Sequence, residues 1–322
     1  MATTPFFSVL CVCFNEQAFV DDAIRSVLSQ SEPSLELILV DDQSTDATWE
    51  KMQAAAAADP RVIAVRNPTK GKVAGFNHAV SLSQGQWIHL LGGDDMLVST
   101  CLEECRQTIE EAGPGVSGVY HDYTIINKTT GDPMEEAIQG PWLAEASPAQ
   151  AIDKKYGIGG GFLAIRGDLA RTVIWPQPLT WKNEDVALAV ILKILGQVRY
   201  VPKSLYLYRL APSHTRYVPT LASHRSDLTH FCEGLRLFRQ RSPSWDSLSA
   251  EARAEGEKHL RHADLINTPG WTLLQAWKSR LGLFRFAMAL VSRCDESLYQ
   301  ALVVYYRRLR DLTVGFHVSK RG

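Results

Sequence analysis

The N-terminal third of the chain alternates between short apolar runs and longer segments whose apolar positions recur at helical spacing. Four apolar runs are predicted strands: Phe7–Phe14, Leu35–Val40, Val62–Val65 and Trp87–Leu91. Three segments between them are predicted helices: Ala18–Gln30, Ala47–Ala58 and Val73–Ser83. Such alternation is typical of βαβ units, so we expect an α/β fold with a mostly parallel sheet flanked by helices.

Polar pairs follow the ends of three of these predicted strands: Asn15-Glu16 and Asp41-Asp42 directly, and Asp94-Asp95 after two glycines. In open α/β sheets, ligands bind outside the carboxyl ends of the strands, so the three pairs are expected to meet in one crevice. Each pair taken alone fits a turn or a helix N-cap, and for Gly92–Asp95 taken alone the cap is the favoured interpretation. Three such pairs at three strand ends favour one nucleotide site.

The later part of the chain is less regular. Val116–Ile126 is predicted to be a strand, Asp185–Leu195 a helix, and Val198–Tyr208 a pair of strands around Pro202. From about Thr220 the pattern changes to helices with alternating charge. We therefore predict a catalytic domain over residues 1–218 and a C-terminal helical extension over residues 219–322.

Composition narrows the class of protein. The 322 residues are 45% hydrophobic and carry a formal net charge of -1, which indicates a globular chain and gives no support for nucleic-acid binding. The N-terminus has no signal-peptide pattern, and no uncharged apolar run approaches the ~18–20 residues of a membrane span. We therefore expect a cytoplasmic protein.

Six cysteines do not suggest a disulfide framework in a chain of this size. Cys11 and Cys13 lie two positions apart on a predicted strand and are expected on opposite faces. Cys101 and Cys105 lie four positions apart on a predicted helix, where a metal-binding pair is conceivable. Because no histidine or further cysteine clusters near them in sequence, buried free thiols are the favoured interpretation.

The sequence Gly92-Gly93-Asp94-Asp95 combines two carboxylates with glycines that let a bulky ligand approach the backbone. Carboxylate oxygens suit Mg²⁺ or Mn²⁺, which commonly bridge carboxylates and substrate phosphates. This pattern predicts a divalent-metal cofactor bound together with a nucleoside diphosphate.

The stretch from Phe7 to about Leu97 resembles the nucleotide-binding half of family-2 glycosyltransferases, which have the Rossmann-like GT-A fold. Four features in order carry the resemblance: Val12–Glu16, Val40–Asp46, Gly71 with Asn77, and Leu91–Asp95. Two positions depart from the family pattern. Gly92 stands where the DXD motif has its first aspartate, and Phe76 stands where an arginine often precedes the asparagine.

The resemblance implies roles for particular residues. The implied donor-binding residues are Cys13, Phe14, Asn15, Glu16, Asp41, Asp42, Lys70, Lys72, Asn77, Gly93, Asp94 and Arg209. The implied metal ligands are Asp94, supported by Asp95, and His214. Because Gly92 removes one carboxylate, most ligands of the metal are expected to come from the nucleotide diphosphate.

The resemblance also implies that Asp185 is the catalytic base and that Glu184 orients it or contacts the acceptor. An inverting transfer needs a carboxylate that takes the proton of the attacking hydroxyl. The alternative is that this pair caps the predicted helix. Trp181 and Gly160 are candidate acceptor contacts, with packing and a hinge as their alternatives.

The last fifty residues interleave aromatic and apolar side chains with nine Lys and Arg against three acidic residues. Such a stretch can lie on an anionic membrane face, which would place the protein peripherally on the inner side of the membrane. A helical cap or a homo-oligomer surface fits the pattern equally well.

The function predicted from the sequence is an inverting glycosyltransferase that moves a sugar from a nucleotide-sugar donor, with a UDP-sugar favoured. The expected acceptor is a hydroxyl of a saccharide or lipid-linked molecule in bacterial surface polysaccharide synthesis. A dinucleotide oxidoreductase is disfavoured because GxGxxG does not follow the first strand. A sugar nucleotidyltransferase and a catalytically degenerate GT-A scaffold are the remaining alternatives.

Overall fold

The computed structural model describes residues 4–154, 163–171, 184–210, 232, 235–236, 239–240 and 245–267. Within them the chain forms one mixed sheet with the strand order β3-β2-β1-β4-β8-β6-β9-β5, and β7 pairs with β6. Helices pack against this sheet, as predicted for an α/β fold.

The N-terminal part of the sheet is parallel. Its strands are β1 (Phe7–Cys13), β2 (Leu35–Asp41), β3 (Val62–Arg66) and β4 (Trp87–Gly92). The helices between them are α1 (Val20–Leu28), α2 (Thr48–Ala58) and α3 (Lys72–Leu82). Each predicted element is therefore confirmed. The chain runs outward from β1 to β2 and β3 and then returns to place β4 on the other side of β1, which creates a topological switch point beside β1.

The second part of the sheet mixes directions. Its strands are β5 (Met96–Leu97), β6 (Val116–Asn127), β7 (Pro133–Ala137), β8 (Leu163–Arg166) and β9 (Gln197–Leu210). The strand β8 lies antiparallel to both β4 and β6, whereas β6 and β9 are parallel. The short β5 follows β4 along the chain but pairs with β9 at the far end of the strand order. The end of β4 is thereby connected directly to the second part of the sheet.

The other helices whose bounds lie within the described residues are α4 (Cys101–Ala112), α5 (Trp142–Glu145), α6 (Pro148–Lys154), α7 (Gly167–Leu169), α8 (Glu184–Leu195) and α9 (Ala250–Asn267). Helix α9 belongs to the predicted C-terminal extension and contacts α6 of the preceding part. Among the helices that the structure describes, none is both long enough and apolar enough to cross a bilayer.

Two local expectations were wrong. The segment around Pro202 is one strand, β9, rather than a pair, because Pro202 lies at an irregularity where the β6 register jumps from Val201 to Ser204. A bulge tolerates proline, which has no N–H to donate to the ladder. Cys11 and Cys13 share one face, with their Sγ atoms 3.5 Å apart, because strand side chains repeat every two residues.

At the amino ends of β1, β2 and β4, opposite the polar pairs, one buried carboxylate organises the sheet. Glu36 is 8% exposed, and its Oε1 accepts hydrogen bonds from Ser8 Oγ at 2.5 Å and Gln84 N at 2.6 Å. The same oxygen accepts a bond from Gly85 N at 3.3 Å. Glu36 thereby fixes the entry of β4 beside β1.

We predict that Glu36→Ala destabilises the fold by about 2–3 kcal/mol, because it leaves the buried Ser8 hydroxyl and the Gln84 N–H without their acceptor. Urea unfolding of the full chain measures this change. The control is Glu50→Ala on the exposed side of α2, which is expected to change stability by less than about 0.5 kcal/mol. Equal effects of the two substitutions would contradict the assigned role of Glu36.

Candidate active site

The loops after β1 and β2 are joined by hydrogen bonds. Asp42 N donates to Cys13 O at 2.8 Å, and Asn15 N donates to Ser44 Oγ at 3.0 Å. Asn15 Oδ1 accepts a bond from Thr45 N at 2.8 Å. Asn15 adopts a left-handed φ of 55°, a conformation that asparagine tolerates better than most residues. Its side chain therefore shapes the β1–β2 end of the crevice.

The two aspartates after β2 hold the surrounding loops. Asp41 is fully buried, accepts bonds from Ser44 N, and lies 3.3 Å from the Arg66 guanidinium. Asp42 Oδ1 accepts bonds from Asn67 Nδ2 at 2.6 Å and Gly71 N at 2.7 Å. The loop that leads into α3 is thereby fixed against the end of β2.

Basic and aromatic side chains surround the start of α3. Lys70 Nζ lies 4.6 Å from the ring centre of Phe14, which is 43% exposed. Lys72 Nζ lies 5.9 Å from the ring centre of Phe76. Asn77 follows on α3. Positive charge and an exposed aromatic face therefore occur together at the end of the crevice next to β1.

Asp95 is the most tightly held residue of the predicted metal motif. It is 5% exposed, and its Oδ1 accepts a bond from Arg209 N at 2.8 Å while its Oδ2 accepts one from Tyr206 Oη at 2.7 Å. The Tyr206 oxygen in turn accepts a bond from Gly92 N at 3.0 Å. Each oxygen of this carboxylate therefore has one hydrogen-bond donor and keeps a second lone pair.

The glycines before the aspartates are required by close contacts. A Cβ atom at Gly92 would lie 2.4 Å from Asp95 Oδ2, and one at Gly93 would lie 2.8 Å from Cys13 Sγ. The departure of Gly92 from the family pattern is therefore coupled to the buried position of Asp95. Gly93 brings the Asp94 segment against the end of β1.

Asp94 is paired with a residue that the sequence analysis missed. Its Oδ2 lies 2.5 Å from Lys128 Nζ, just beyond the end of β6. Lys128 Nζ lies 4.9 Å from the ring centre of Phe19, and the Arg209 guanidinium lies 5.1 Å from the same ring. Arg209 also pairs with Asp22 at 2.8 Å. No sequence motif marks Lys128, since its position depends on how β6 is placed in the sheet.

The carboxylates of the crevice repel one another. Burial, followed by the charge of Asp94, raises the pKa of Glu16 to about 7. Burial and the Asp94 charge also raise the pKa of Asp95 to about 6, although the bonds from Arg209 and Tyr206 oppose the shift. This excess of negative potential favours a bound cation.

The donor set fits a divalent cation held mainly by its substrate. Asp94 offers a hard oxygen ligand at a side chain that is 23% exposed, which suits Mg²⁺ or Mn²⁺ with further ligands from phosphates and water. Lys128 already supplies one positive charge at the same carboxylate. The site is therefore expected to bind free metal weakly.

Several predicted residues cannot be located in the site. Gly160, Trp181 and His214 lie outside the described residues. Glu184 and Asp185 are the first two residues of α8, as the sequence predicted, and their side chains lie outside the described part. Their catalytic roles stay predictions.

We predict that Gly92→Ala weakens the fold by about 1–3 kcal/mol, because the new methyl group must displace Asp95 from Tyr206. Differential scanning calorimetry of the full chain measures the change. The control is Gly115→Ala, where the nearest atom would lie at an ordinary 3.5 Å. A Gly92→Ala protein as stable as the control would show that Asp95 is not held in this way.

We also predict a pH-dependent effect of Glu16→Gln in metal-free protein. Because the folded pKa of Glu16 lies above its ordinary value of 4.5, its contribution to stability is present below pH 4.5 and is lost as pH rises through about 7. Glu16→Gln should therefore raise the melting temperature relative to wild type more at about pH 8 than at about pH 5. Thermal melts with chelator present test this, with Glu50→Gln as control, and an opposite pH trend would contradict it.

The sequence of this chain is similar to those of known glycosyltransferases. The chain is 30% identical over 213 residues to the glycosyltransferase GlyG of Streptococcus pneumoniae, which is 63% of this chain and 70% of that relative. It is 29% identical over 138 residues to the putative teichuronic acid biosynthesis glycosyltransferase TuaG of Bacillus subtilis, which is 42% of this chain. The match spans 54% of TuaG, about half of its length.

Solved structures share the fold. S. aureus TarS residues 1–349 in complex with UDP-GlcNAc aligns with a TM-score of 0.62 at 14% identity, covering 94% of this chain and 91% of that chain. The mannosyltransferase PcManGT from Pyrobaculum calidifontis, in complex with GDP-Man and Mn²⁺, aligns with a TM-score of 0.55 at 17% identity, covering 96% and 81%. The predicted GT-A fold is thereby confirmed.

The family model described as Glycosyl transferase family 2 matches residues 8–171, just over half of the chain. This range holds β1 to β4, the loops after β1 and β2, and the Gly92–Asp95 segment with Lys128. The chain belongs to glycosyltransferase family 2.

Proposed function

We propose that this protein transfers a sugar from a nucleoside diphosphate donor, preferably UDP, to a hydroxyl of a saccharide or lipid-linked acceptor. One observation carries the proposal: the loops after β1, β2 and β4 meet at the switch point of the sheet. Their contacts are direct, since Asp42 bonds to Cys13, and Gly93 packs against Cys13. A crevice at this position is where α/β sheets bind nucleotides.

Different parts of the donor would bind at the two ends of the crevice. Phe14 and Lys70 offer an aromatic face and a positive charge at the β1 end. Lys72 adds a second positive charge at the start of α3. Asn15, Asp41 and Asp42 act by holding the loops in shape, because their side chains are engaged in hydrogen bonds with the neighbouring loops. The donor diphosphate would then lie between these lysines and Asp94.

Asp94 would hold a Mn²⁺ or Mg²⁺ ion together with the diphosphate. The chemistry that such a cation supplies is neutralisation of the charge on the departing diphosphate. Lys128 contributes to the same neutralisation, because its ammonium contacts Asp94 from the other side of the crevice. The Arg209 guanidinium pairs with Asp22. Arg209 acts on the site through its backbone N–H, which donates to Asp95.

Asp185 at the start of α8 would act as the base that takes the proton of the acceptor hydroxyl, with Glu184 orienting it. In that mechanism the hydroxyl attacks the anomeric carbon as the nucleoside diphosphate departs, which inverts the configuration. The proposal rests on the position of this acidic pair at the start of a helix, as in the family pattern.

A role in surface polysaccharide synthesis is supported by the names of relatives. TuaG is named for teichuronic acid biosynthesis, and WcaA of Escherichia coli, 37% identical over 98 residues, is named for colanic acid biosynthesis. Such acceptors are often presented at a membrane face. The proposed extension over residues 219–322, with its basic and aromatic C-terminal end, would provide a peripheral membrane or oligomer contact for the cytoplasmic protein.

The test begins with donor binding. Thermal melts of the full chain with Mn²⁺ and a panel of UDP-, GDP- and dTDP-sugars should show stabilisation by one donor class, since a ligand at 100 times its dissociation constant adds about 2.7 kcal/mol. Transfer to saccharide acceptors is then measured with that donor. If no nucleotide sugar binds, the chain is a degenerate scaffold and the proposal fails.

We predict that Asp185→Asn lowers transfer by at least about a hundredfold and changes the dissociation constant of the donor by less than about threefold. The control is Asp132→Asn, an exposed residue of the β6–β7 turn, which should leave both quantities unchanged. Loss of donor binding in Asp185→Asn would reassign this residue to the nucleotide site. Unchanged transfer would remove it from the mechanism.

A further inference from the structure

A second group of potential metal ligands lies buried inside the protein and shares no residue with the candidate donor site. His89 on β4, His121 on β6, and Cys101 and Cys105 on α4 place their donor atoms within 4.8 Å of one another. All four residues have no exposed surface. Nothing in the proposed transfer reaction uses them.

The backbone fixes which nitrogen of each imidazole carries the proton. His89 Nδ1 lies 3.0 Å from Leu90 O, and His121 Nδ1 lies 2.8 Å from Asp122 O. A carbonyl oxygen only accepts hydrogen bonds, so both Nδ1 atoms are protonated and donate. Each Nε2 atom of the neutral rings is therefore left with a lone pair. Metal-binding histidines commonly have this carbonyl partner.

The two Nε2 atoms face each other at 3.3 Å, and the rings are stacked with an interplanar angle of 10°. Two lone pairs at this distance repel unless a proton or a cation lies between them. Both rings are fully buried, where an isolated imidazolium charge is costly. The Cys101 thiol approaches both nitrogens, but its one proton can serve only one of them.

The distances agree with those of a tetrahedral zinc site. With Zn–N bonds of about 2.0–2.1 Å and Zn–S bonds of about 2.3 Å, the tetrahedral edges are about 3.3 Å between nitrogens and about 3.6 Å between nitrogen and sulfur. The separation of the two nitrogens is 3.3 Å. Cys101 Sγ lies 3.7 Å from His89 Nε2 and 3.6 Å from His121 Nε2. Three ligand atoms are thus already arranged around one centre.

We propose that His89, Cys101, Cys105 and His121 bind one structural Zn²⁺ ion. Two imidazoles and two thiolates complete a closed four-coordinate set, and thiolates select zinc over Mg²⁺ or Mn²⁺. Binding releases the two thiol protons to solvent, and the two thiolate charges balance those of the ion. A neutral site of this kind avoids the cost of an isolated buried charge.

The zinc would join three elements that flank the donor site. Ligands on β4 and α4 lie on either side of the Gly92–Asp95 segment in the chain, and the ligand on β6 lies seven residues before Lys128. Because no ligand is exposed, the ion enters during folding and is not exchanged through the crevice. Its role is positional and separate from the metal proposed at Asp94.

The test measures metal in the full chain purified from zinc-supplemented cells without chelator. Elemental analysis by mass spectrometry should find about one zinc per chain. Protein produced with Co²⁺ in place of zinc should show thiolate-to-cobalt charge-transfer absorption and tetrahedral d–d bands. Wild-type protein with well under one metal ion per chain, and without these bands after growth with Co²⁺, would overturn the proposal.

Matched variants locate the ion. Cys101→Ala and His121→Ala should lower the zinc content to less than about a tenth of wild type, because a three-ligand site binds far more weakly. Cys11→Ala removes a fully buried thiol that has no histidine among its described partners and should retain zinc. Asp94→Asn should retain zinc as well, which separates this site from the donor site.

Zinc that is lost in Asp94→Asn and retained in Cys101→Ala would place the ion at the donor crevice and overturn the proposal. If the cluster variants do not fold, the cobalt spectrum of the wild-type protein still decides, because it reports thiolate ligands directly. None of these measurements depends on transfer activity, so the outcome is independent of the proposed function.

Discussion

The buried carboxylate of Asp95 connects the two parts of the sheet. It follows β4, the last strand of the parallel part of the sheet, and accepts bonds from Tyr206 and Arg209 of β9. A carboxylate that is 5% exposed is costly in free energy unless its oxygens accept hydrogen bonds. Because the donors to Asp95 are on β9, this strand has to lie beside the Gly92–Asp95 segment. The pairing of β5 with β9 and the absence of a side chain at Gly92 both follow from this constraint.

The sequence predicted the parts of the molecule that depend on local pattern. The alternating runs from Phe7 to Leu91 became β1–β4 and α1–α3 because parallel strands are apolar throughout and their helices have a clear period. The meeting of the polar pairs after β1, β2 and β4 followed from topology alone. These features also carried the resemblance to the family.

Contacts between distant segments were missed, because no periodicity encodes them. Tyr206 lies in β9 and Lys128 just beyond the end of β6, and they reach Asp94 and Asp95 only through the order β4-β8-β6-β9. For the same reason Cys101 and Cys105 were interpreted as simple buried thiols. Their histidine neighbours lie on strands β4 and β6, 12 and 20 residues from Cys101 in the chain.

The large separation in sequence between Asp95 and its hydrogen-bond donors affects the order in which parts of the protein fold during synthesis. Tyr206 and Arg209 follow Asp95 by 111 and 114 residues. During synthesis β1–β4 leave the ribosome first. The carboxylate of Asp95 has neither hydrogen-bond donor until β9 has been made. A chain that stops before β9 has the scaffold of a nucleotide site but lacks the bonds that set the Gly92–Asp95 segment. The Gly92–Asp95 segment therefore reaches its final bonded arrangement only late in translation.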